Sequence, residues 1–181
     1  MQFATQHLTG PPVFNGCDSI RQGLSEEITK GIRVIEDLDD ISYRLRSKNS
    51  ASVGEQFRHN LDFINTFLGG VAVGRVDYTK RERDVRVERS REWTVERFEI
   101  ARRKLEMLPR AQINSMVSVR SETDAGVWLQ SSVAREMEFV LRHTIHHHAL
   151  IAEKLVGQGV ILDTAFGVAA STKSYWSKLA A

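Results

Sequence analysis

The sequence predicts an all-α protein: a four-helix bundle with a short β-hairpin inserted before the last long helix. Four long segments repeat apolar residues at three- and four-residue steps, which is the period of an amphipathic helix. One segment before the fourth of these alternates instead and is rich in β-branched residues, as β-strands are. The 181 residues contain no repeats and no low-complexity linker, which predicts one domain over residues 1–181.

The first predicted helix follows an N-terminal arm of residues 1–17, in which Pro and Gly interrupt any regular pattern. We predict this helix over residues 18–47, because charged residues separate its regularly spaced apolar ones. The apolar residues are Ile20, Leu24, Ile28, Ile32, Ile35, Leu38 and Ile41. The stretch KNSAS then breaks the pattern.

The second helix is predicted over residues 52–70. Ser52 and Glu55 have the spacing of a capping box, in which each side chain accepts a hydrogen bond from the backbone N–H of the other residue. The pair Gly69-Gly70 predicts the end of this helix, since glycine is common just past a helix C-terminus.

A connection without a clear period, residues 71–88, separates the second helix from the third. We expect it to fold over the bundle. The third helix is predicted over residues 90–109, with Ser90 as its N-cap and Pro109 as its stop.

The last third of the chain changes in character twice. Residues 113–132 carry alternating and β-branched residues around ETDAG and predict the β-hairpin. The fourth long helix is predicted over residues 131–159, where Gly157 and Gly159 stop it. The tail, residues 160–181, is apolar enough to pack back on the domain.

The composition and charge of the chain are typical of a globular protein. Hydrophobic residues make up 41% and charged residues 27%, as in globular proteins of aqueous compartments. Cys17 is the single cysteine, so no intrachain disulfide can form, which fits a reducing compartment. The sequence shows neither a signal peptide nor an apolar stretch of membrane-spanning length. We therefore expect a cytoplasmic protein without a membrane partner.

An arginine-rich stretch, residues 75–104, raises the question of nucleic-acid binding. Acidic residues are interleaved with the arginines throughout: Glu82, Asp84, Glu88, Glu92, Glu96 and Glu99. The formal net charge of the whole chain is only +2. This pattern favours a solvated, self-paired helix face over a stripe that binds phosphates, so no nucleic-acid partner is expected.

Four of the six histidines lie within the stretch LRHTIHHHALIAEKL of the fourth helix. Residues four apart lie on one face of a helix, whereas adjacent residues point about 100° apart. His143 and His147 can therefore reach one point, His143 and His146 less well, and His148 points elsewhere. An interior imidazole pair needs a binding partner, and a divalent metal ion supplies one.

A third ligand would have to come from His7 or His59, since open zinc sites generally have three protein ligands. His59 lies on the second helix, and helical bundles build metal sites from facing helices. The sequence contains no Glu-x-x-His motif, so a di-iron carboxylate site is a poor alternative. The alternative hypothesis to a metal site is that His59 is a hydrogen-bonded core histidine and that the histidine-rich helix is a polar surface.

Four stretches of the sequence, SVGEQFRHNLDFINTFLGG, VDYTKRERD, RHTIHHHALIAEKL and GVAASTKSYW, together resemble the DinB superfamily of helical bundles. The resemblance covers roughly two-thirds of the chain. It implies that His59, His143 and His147 bind one divalent metal ion, with a position open to water or substrate. It also implies that His146 and His148 are neighbours of the site rather than ligands.

The resemblance further implies a metal-dependent enzyme that transfers a low-molecular-weight thiol to a small molecule, with hydrolysis as a weaker alternative. Three imidazoles suit zinc foremost, with nickel, iron or copper as alternatives. The competing hypothesis is a non-enzymatic, metal-stabilised binding or sensor module whose tail is an interaction surface. A homodimer fits both hypotheses.

Other polar residues could surround the site. Asp62, one turn after His59, and His146 are candidates for orienting a ligand through a hydrogen bond. A plain solvated aspartate is the alternative for Asp62. The site mouth could be lined by Arg81, Arg83 and Asp84, although surface ion pairs would explain the same residues.

Overall fold

The structure is a computed structural model that describes residues 17–46 and 50–179. Those residues are mostly helical, which confirms the expected helix-rich class, and they include a small three-stranded sheet. The helices are α1 Cys17–Asp37, α2 Asp40–Arg44, α3 Val53–Val73, α4 Arg91–Glu106, α5 Arg110–Ile113, α6 Val133–Gly157 and α7 Ala170–Leu179. The strands are β1 Arg75–Val76, β2 Met116–Arg120 and β3 Trp128–Ser132.

The first predicted helix is two helices, so the prediction of one continuous helix over 18–47 was wrong. Asp39 has an extended backbone, and its carboxylate accepts a hydrogen bond from the backbone N–H of Ser42 at 2.7 Å. This N-cap starts α2 just after α1 has ended. The apolar pattern masks the break because Leu38 is still buried, but Ile41 is 78% exposed.

The capping box at the start of α3 is present as predicted. Ser52 Oγ accepts from the Glu55 N–H at 3.0 Å, and Glu55 Oε2 accepts from the Ser52 N–H at 2.6 Å. The predicted end at Gly69-Gly70 was wrong, because α3 continues to Val73 and ends at Gly74 in the left-handed region, with φ 71°. Gly70 serves close packing instead: a Cβ there would lie 2.7 Å from the carbonyl oxygen of Arg75.

The four long helices contact one another in pairs. Helix α1 packs against α4 and α6, and α3 packs against the same two helices. Ser90 caps α4 as predicted, by accepting from the backbone N–H of Trp93 at 3.1 Å. Large buried side chains from all four helices meet in the core, among them Leu24, Ile28, Ile35, Phe57, Ile64, Phe67, Phe98, Leu105, Met137 and Ile151.

The predicted hairpin is formed by β2 and β3, which pair antiparallel from Met116 opposite Ser132 to Arg120 opposite Trp128. Strand β1 adds to β2 in parallel and was not predicted, because two residues are too few to show an alternating pattern. Ser132, the last residue of β3, is also the N-cap of α6. The hairpin therefore sets where the histidine-bearing helix begins.

The tail contacts the bundle through Phe166, which is 6% exposed, whereas α7 has no buried residue. Nearly all of the N-terminal arm, with His7, and residues 180–181 lie outside the described residues. Among the helices within the described ranges, none is long and apolar enough to cross a membrane.

Candidate metal centre

Helix α3 carries the first functional side chains on one face. Gln56, His59 and Phe63 are three and four residues apart, so they lie above one another along the helix. The capping box orders the first turn of α3, directly before Gln56. The start of this helix thereby orients the residues that face α6.

Helix α6 supplies His143 and His147, one turn apart. Their face is the interior one, because Val140 and Ile151 on the same stripe are fully buried. Between the two histidines, Thr144 donates a hydrogen bond to Asn60 Oδ1 of α3 at 3.1 Å, and both side chains are fully buried. This bond holds the two helices in register beside the histidines.

The structure brings His59, His143 and His147 together. Their ring centroids lie 4.4 Å apart for His143 and His147, 4.5 Å for His59 and His147, and 5.2 Å for His59 and His143. One nitrogen of each ring can be chosen so that all three lie within 4.8 Å of one another. Among the described residues, no carboxylate or cysteine belongs to this group.

Hydrogen bonds constrain two of the three rings. His147 Nδ1 lies 2.7 Å from Gln56 Oε1, an acceptor, so the ring donates from Nδ1 and leaves the Nε2 lone pair free. His59 Nδ1 lies 3.3 Å from Nη1 of Arg81, which donates to it. Gln56 therefore fixes a ring orientation in which Nε2 can serve as a ligand.

The third ring carries a nitrogen without a partner. His143 Nε2 is buried, and no hydrogen-bond partner reaches it within the described part of the chain. A buried polar atom left unpaired costs free energy, typically about 1–3 kcal/mol. The chemistry of this donor set, three imidazoles and no carboxylate, therefore fits a divalent metal ion.

Burial and mutual repulsion keep the imidazoles neutral. Burial, together with nearby positive charge on His59, His146 and Arg81, lowers the pKa of His143 to about 4. Burial, reinforced by His143 and His59, lowers the pKa of His147 to about 3. The pKa of His59 is also lowered, first by burial and then by Arg81. Neutral rings are the form that binds metal.

Aromatic side chains enclose one flank of the histidine group. Phe63 stacks on His143 with ring centroids 4.0 Å apart, and Tyr78 stacks on Phe63 at 5.2 Å. Phe63, Tyr78, Phe139 and His143 also line a cavity of about 550 Å³ that extends to the β-hairpin. A small molecule in this cavity would lie against His143.

Among the described residues, neither Asp62 nor His146 forms a hydrogen bond to the three histidines. Asp62 is buried and forms an ion pair with Arg58 at 3.0 Å. Burial raises its pKa despite the nearby arginines. His146 is exposed, and its ring centroid lies 5.4 Å from that of His147. Their expected orienting roles therefore stay predictions, whereas Gln56 was missed because glutamine carries no metal-site signal in a sequence.

The three residues expected at the site mouth are separated. Arg81 reaches the histidine group, as its contact with His59 shows. Arg83 is exposed, and Asp84 binds Arg86 at 2.9 Å and the indole N–H of Trp93 at 2.9 Å. Asp84 lines a different groove, of about 840 Å³, to which none of the three histidines contributes. For Asp84 the structure favours the ion-pair alternative.

The role of His148 as a neighbour rather than a ligand fits its surroundings. Its Nδ1 lies 3.2 Å from Glu27 Oε2 on α1, on the side of α6 that faces away from α3's histidine. Glu27 is also paired with Lys30. The sequence pattern of α1 did not reveal Glu27 as a buried partner, because the pattern shows charges only as interruptions of the apolar stripe.

Comparison with known proteins adds little to this geometry. No family model matches the chain. A protein named FK506-binding protein 5, from Rhizopus delemar, is 26% identical over 135 residues, which cover 72% of this chain and 34% of that protein. The chain thus spans about a third of the length of this curated relative. A likeness at this level does not show a family.

Proposed function

We propose that this protein binds a divalent metal ion through His59, His143 and His147, and that it is a metal-dependent enzyme of the thiol S-transferase type acting on small molecules. One observation carries the proposal: three imidazoles from two facing helices converge, and one of them has a buried nitrogen without a partner among the described residues. Zinc is the first choice of metal, with nickel or iron as alternatives.

The arrangement of helices supports a DinB-like four-helix bundle as the scaffold. The pairwise packing of α1 and α3 against α4 and α6 is what such a bundle requires. The histidine positions also agree with the motif resemblance, since one lies early in α3 and two lie four residues apart in α6. The scaffold thus explains why residues 84 positions apart, such as Asn60 and Thr144, meet beside the site.

The donor set determines what chemistry the site can supply. A divalent ion held by neutral imidazoles keeps its positive charge, and it lowers the pKa of a thiol or water at an open position when bound. Among the chain's own residues, Gln56 orients His147, and Phe63 shields one side of His143 from water. The cavity beside His143 gives a small substrate a place to bind.

Elemental analysis of protein prepared without a histidine tag tests the metal site directly. We expect about one divalent ion per chain in the wild type and a large loss in His143→Ala. His146→Ala is the matched control, because His146 is a histidine of the same helix but exposed. Equal metal content in wild type and His143→Ala would contradict the site.

A second experiment tests the reaction class. Metal-loaded protein is incubated with several cellular low-molecular-weight thiols and a reactive electrophile, and thioether formation is followed. We expect a rate that depends on the metal and is lost in His143→Ala. A protein that binds metal but gives no metal-dependent rate with any thiol would speak against transfer.

A non-enzymatic binding or sensor module is the second candidate, and the exposed apolar side chains of α7 favour it. Tyr175 is 61% exposed, Trp176 49% and Leu179 69%, and α7 buries no residue. If α7 mediates assembly, including a homodimer, Trp176→Ser should disrupt assembly and leave metal content unchanged. A monomer that still turns over substrate would favour the enzyme.

A further inference from the structure

We propose that Arg81 binds the carboxylate of an organic-acid substrate at the metal centre. This inference rests on the proposed metal site and assigns the substrate class that the site takes. It follows from the position of one guanidinium group, from the absence of an ion pair to it among the described residues, and from what metal binding requires of His59.

The Arg81 side chain reaches the histidine group from the connection between β1 and α4. Its Nη1 lies 3.3 Å from His59 Nδ1, and its Cζ lies 5.0 Å from the centroid of the Phe63 ring. Phe63 in turn stacks on His143. The guanidinium therefore contacts His59 directly, and it is separated from His143 by the ring of Phe63.

Arg81 forms no ion pair within the described residues, although the buried carboxylate of Asp62 interacts with it electrostatically at longer range. Within residues 17–46 and 50–179, no carboxylate oxygen lies within 4.0 Å of its guanidinium, and its Nε is buried without a hydrogen-bond partner. The neighbouring Arg58 differs, since it is paired with Glu88 and Asp62. A half-buried cation with an unpaired donor is costly unless an anion reaches it.

Metal binding would free Arg81 from the one hydrogen bond that it forms within the described residues. A guanidinium can only donate, so it occupies the Nδ1 lone pair of His59, and the ring proton must lie on Nε2. If Nδ1 binds the metal, it loses Arg81. If Nε2 binds the metal, the ring proton of His59 moves to Nδ1. The Nδ1–H group then faces the N–H donor of Arg81, so no hydrogen bond can form between them. In both cases the Arg81 contact breaks, which leaves the guanidinium beside the ion.

The charge and shape of the surroundings favour a carboxylate with an apolar body. A divalent ion and a guanidinium, without an acidic residue among the ligands, make a strongly positive centre. The planar fork of one guanidinium matches the two oxygens of one carboxylate. Phe63, Tyr78 and Phe139 supply an aromatic wall for the rest of the molecule in the 550 Å³ cavity, which Arg120, Glu122, Arg135 and Glu136 also line. Arg81 does not line this cavity itself, but its guanidinium lies over the ring of Phe63, which does.

Benzoate is a suitable probe, because it joins a carboxylate to a planar apolar ring. Cobalt-loaded protein is titrated with benzoate, and binding is followed in the visible spectrum of the metal. We expect Arg81→Met to bind benzoate about tenfold or more weakly than the wild type, as is typical for loss of a charge-assisted hydrogen bond. Arg81→Lys keeps the charge without the fork, so it should fall between the two.

Arg83→Met is the matched control, since it removes the same charge two residues away from an exposed side chain. We expect its benzoate affinity to remain within about twofold of the wild type, because exposed charges interact weakly. Cobalt affinity supplies a second readout. Arg81→Met should bind cobalt as tightly as the wild type or more tightly, because a competing donor and a positive charge are gone.

The outcomes separate this inference from the proposed function. A wild-type protein that binds no metal overturns both. A protein that binds cobalt, but whose benzoate affinity is the same in wild type and Arg81→Met, overturns the role of Arg81 alone. Inorganic phosphate that binds more tightly than benzoate, with the same dependence on Arg81, would overturn the assignment of a carboxylate.

Discussion

His147 and His148 are adjacent on α6 and both are buried, yet their rings have different hydrogen-bonding partners. His147 faces α3, where it meets His59, His143 and the acceptor oxygen of Gln56. His148 faces α1, where it meets the carboxylate of Glu27. One step along the helix, about 100° of rotation, separates these environments.

The surroundings of His148 are those of a packed structural residue. Its ring is fully buried and stacks on Phe166 of the tail, with centroids 4.5 Å apart. Burial lowers the pKa of His148 despite Glu27, so the neutral ring donates from Nδ1 to the carboxylate. Its Nε2 has no hydrogen-bond partner among the described residues either, but this atom lies so close to α1 that a Cβ at Gly31 would be 3.0 Å from it.

The comparison shows that the partner decides the role of a buried histidine. Beside a carboxylate and a helix backbone, an imidazole is satisfied on one side and enclosed on the other. Beside two more imidazoles, all of them neutral, one nitrogen of each ring lies close enough to the others for a single divalent cation to reach all three.

His148→Ala should destabilise the protein by about 3–5 kcal/mol, the usual cost of removing a large ring from a packed core. The same change at His147 should cost less in metal-free protein and abolish metal binding. Urea unfolding with a chelator measures the first effect, and cobalt titration measures the second. His148→Gln is a smaller perturbation and should keep cobalt binding. If His148→Gln lost cobalt binding while its stability stayed intact, His148 would be a metal ligand rather than a structural residue.

Added zinc should stabilise the wild type by about 2.7 kcal/mol when its free concentration is one hundred times the Kd. The reason is linkage, because the assembled site exists only in the folded chain. Thermal unfolding at several zinc concentrations measures the gain. His147→Ala should show almost none of it, and His146→Ala should behave like the wild type. An equal gain in His147→Ala would mean that zinc binds elsewhere.

Metal-free protein should lose stability on the order of 2 kcal/mol for each of His143 and His147 as the pH falls from 7 to 5. In the folded state the pKa of His143 is about 4 and that of His147 is about 3, whereas an unfolded histidine titrates near 6.5. Between those values the unfolded chain binds more protons, so stability rises with pH. Urea midpoints at the two pH values measure the effect, which His147→Gln should reduce. A flat profile in the wild type would contradict the buried, neutral rings.

Gln56→Ala should weaken cobalt binding by about tenfold, because an orienting partner of a metal-binding histidine typically contributes that much or more. Gln56→Glu keeps an acceptor at the same distance and should bind cobalt at least as tightly as the wild type. Isothermal titration measures both variants. If Gln56→Ala and the wild type bind alike, the 2.7 Å contact to His147 has no part in orienting the ring.

Local features of the fold were accessible from the sequence alone. The capping box at Ser52 and Glu55 and the N-cap at Ser90 follow from side-chain chemistry within three residues, and the structure contains both. The predicted end of the second helix failed because a distant contact overrides the local signal. Gly70 by itself predicts a helix end. In the structure α3 continues past it, and the missing side chain lets the backbone of β1 pack closely against the helix.

In the candidate site, too, some residues could be predicted from the sequence and others could not. The spacing of His143 and His147 already places them on one helical face, and the motif resemblance added His59. Neither indicated Gln56, which meets His147 from 91 residues away, or Asn60, which bonds to Thr144 from 84 residues away. Neutral side chains of this kind carry no recognisable spacing, so only packing reveals them.

The sequence by itself determined which residues share a helix face, because the backbone period depends on neighbours within one or two turns. It thereby settled that His147 and His148 cannot serve the same site. Only the tertiary structure decided which side of α6 faces α3 and which faces Glu27, a residue 121 positions away. It also decided that Arg81, rather than Asp84, reaches the histidines. The reason is that the packing of the helices, which depends on the whole core, sets the distance between residues far apart in the chain.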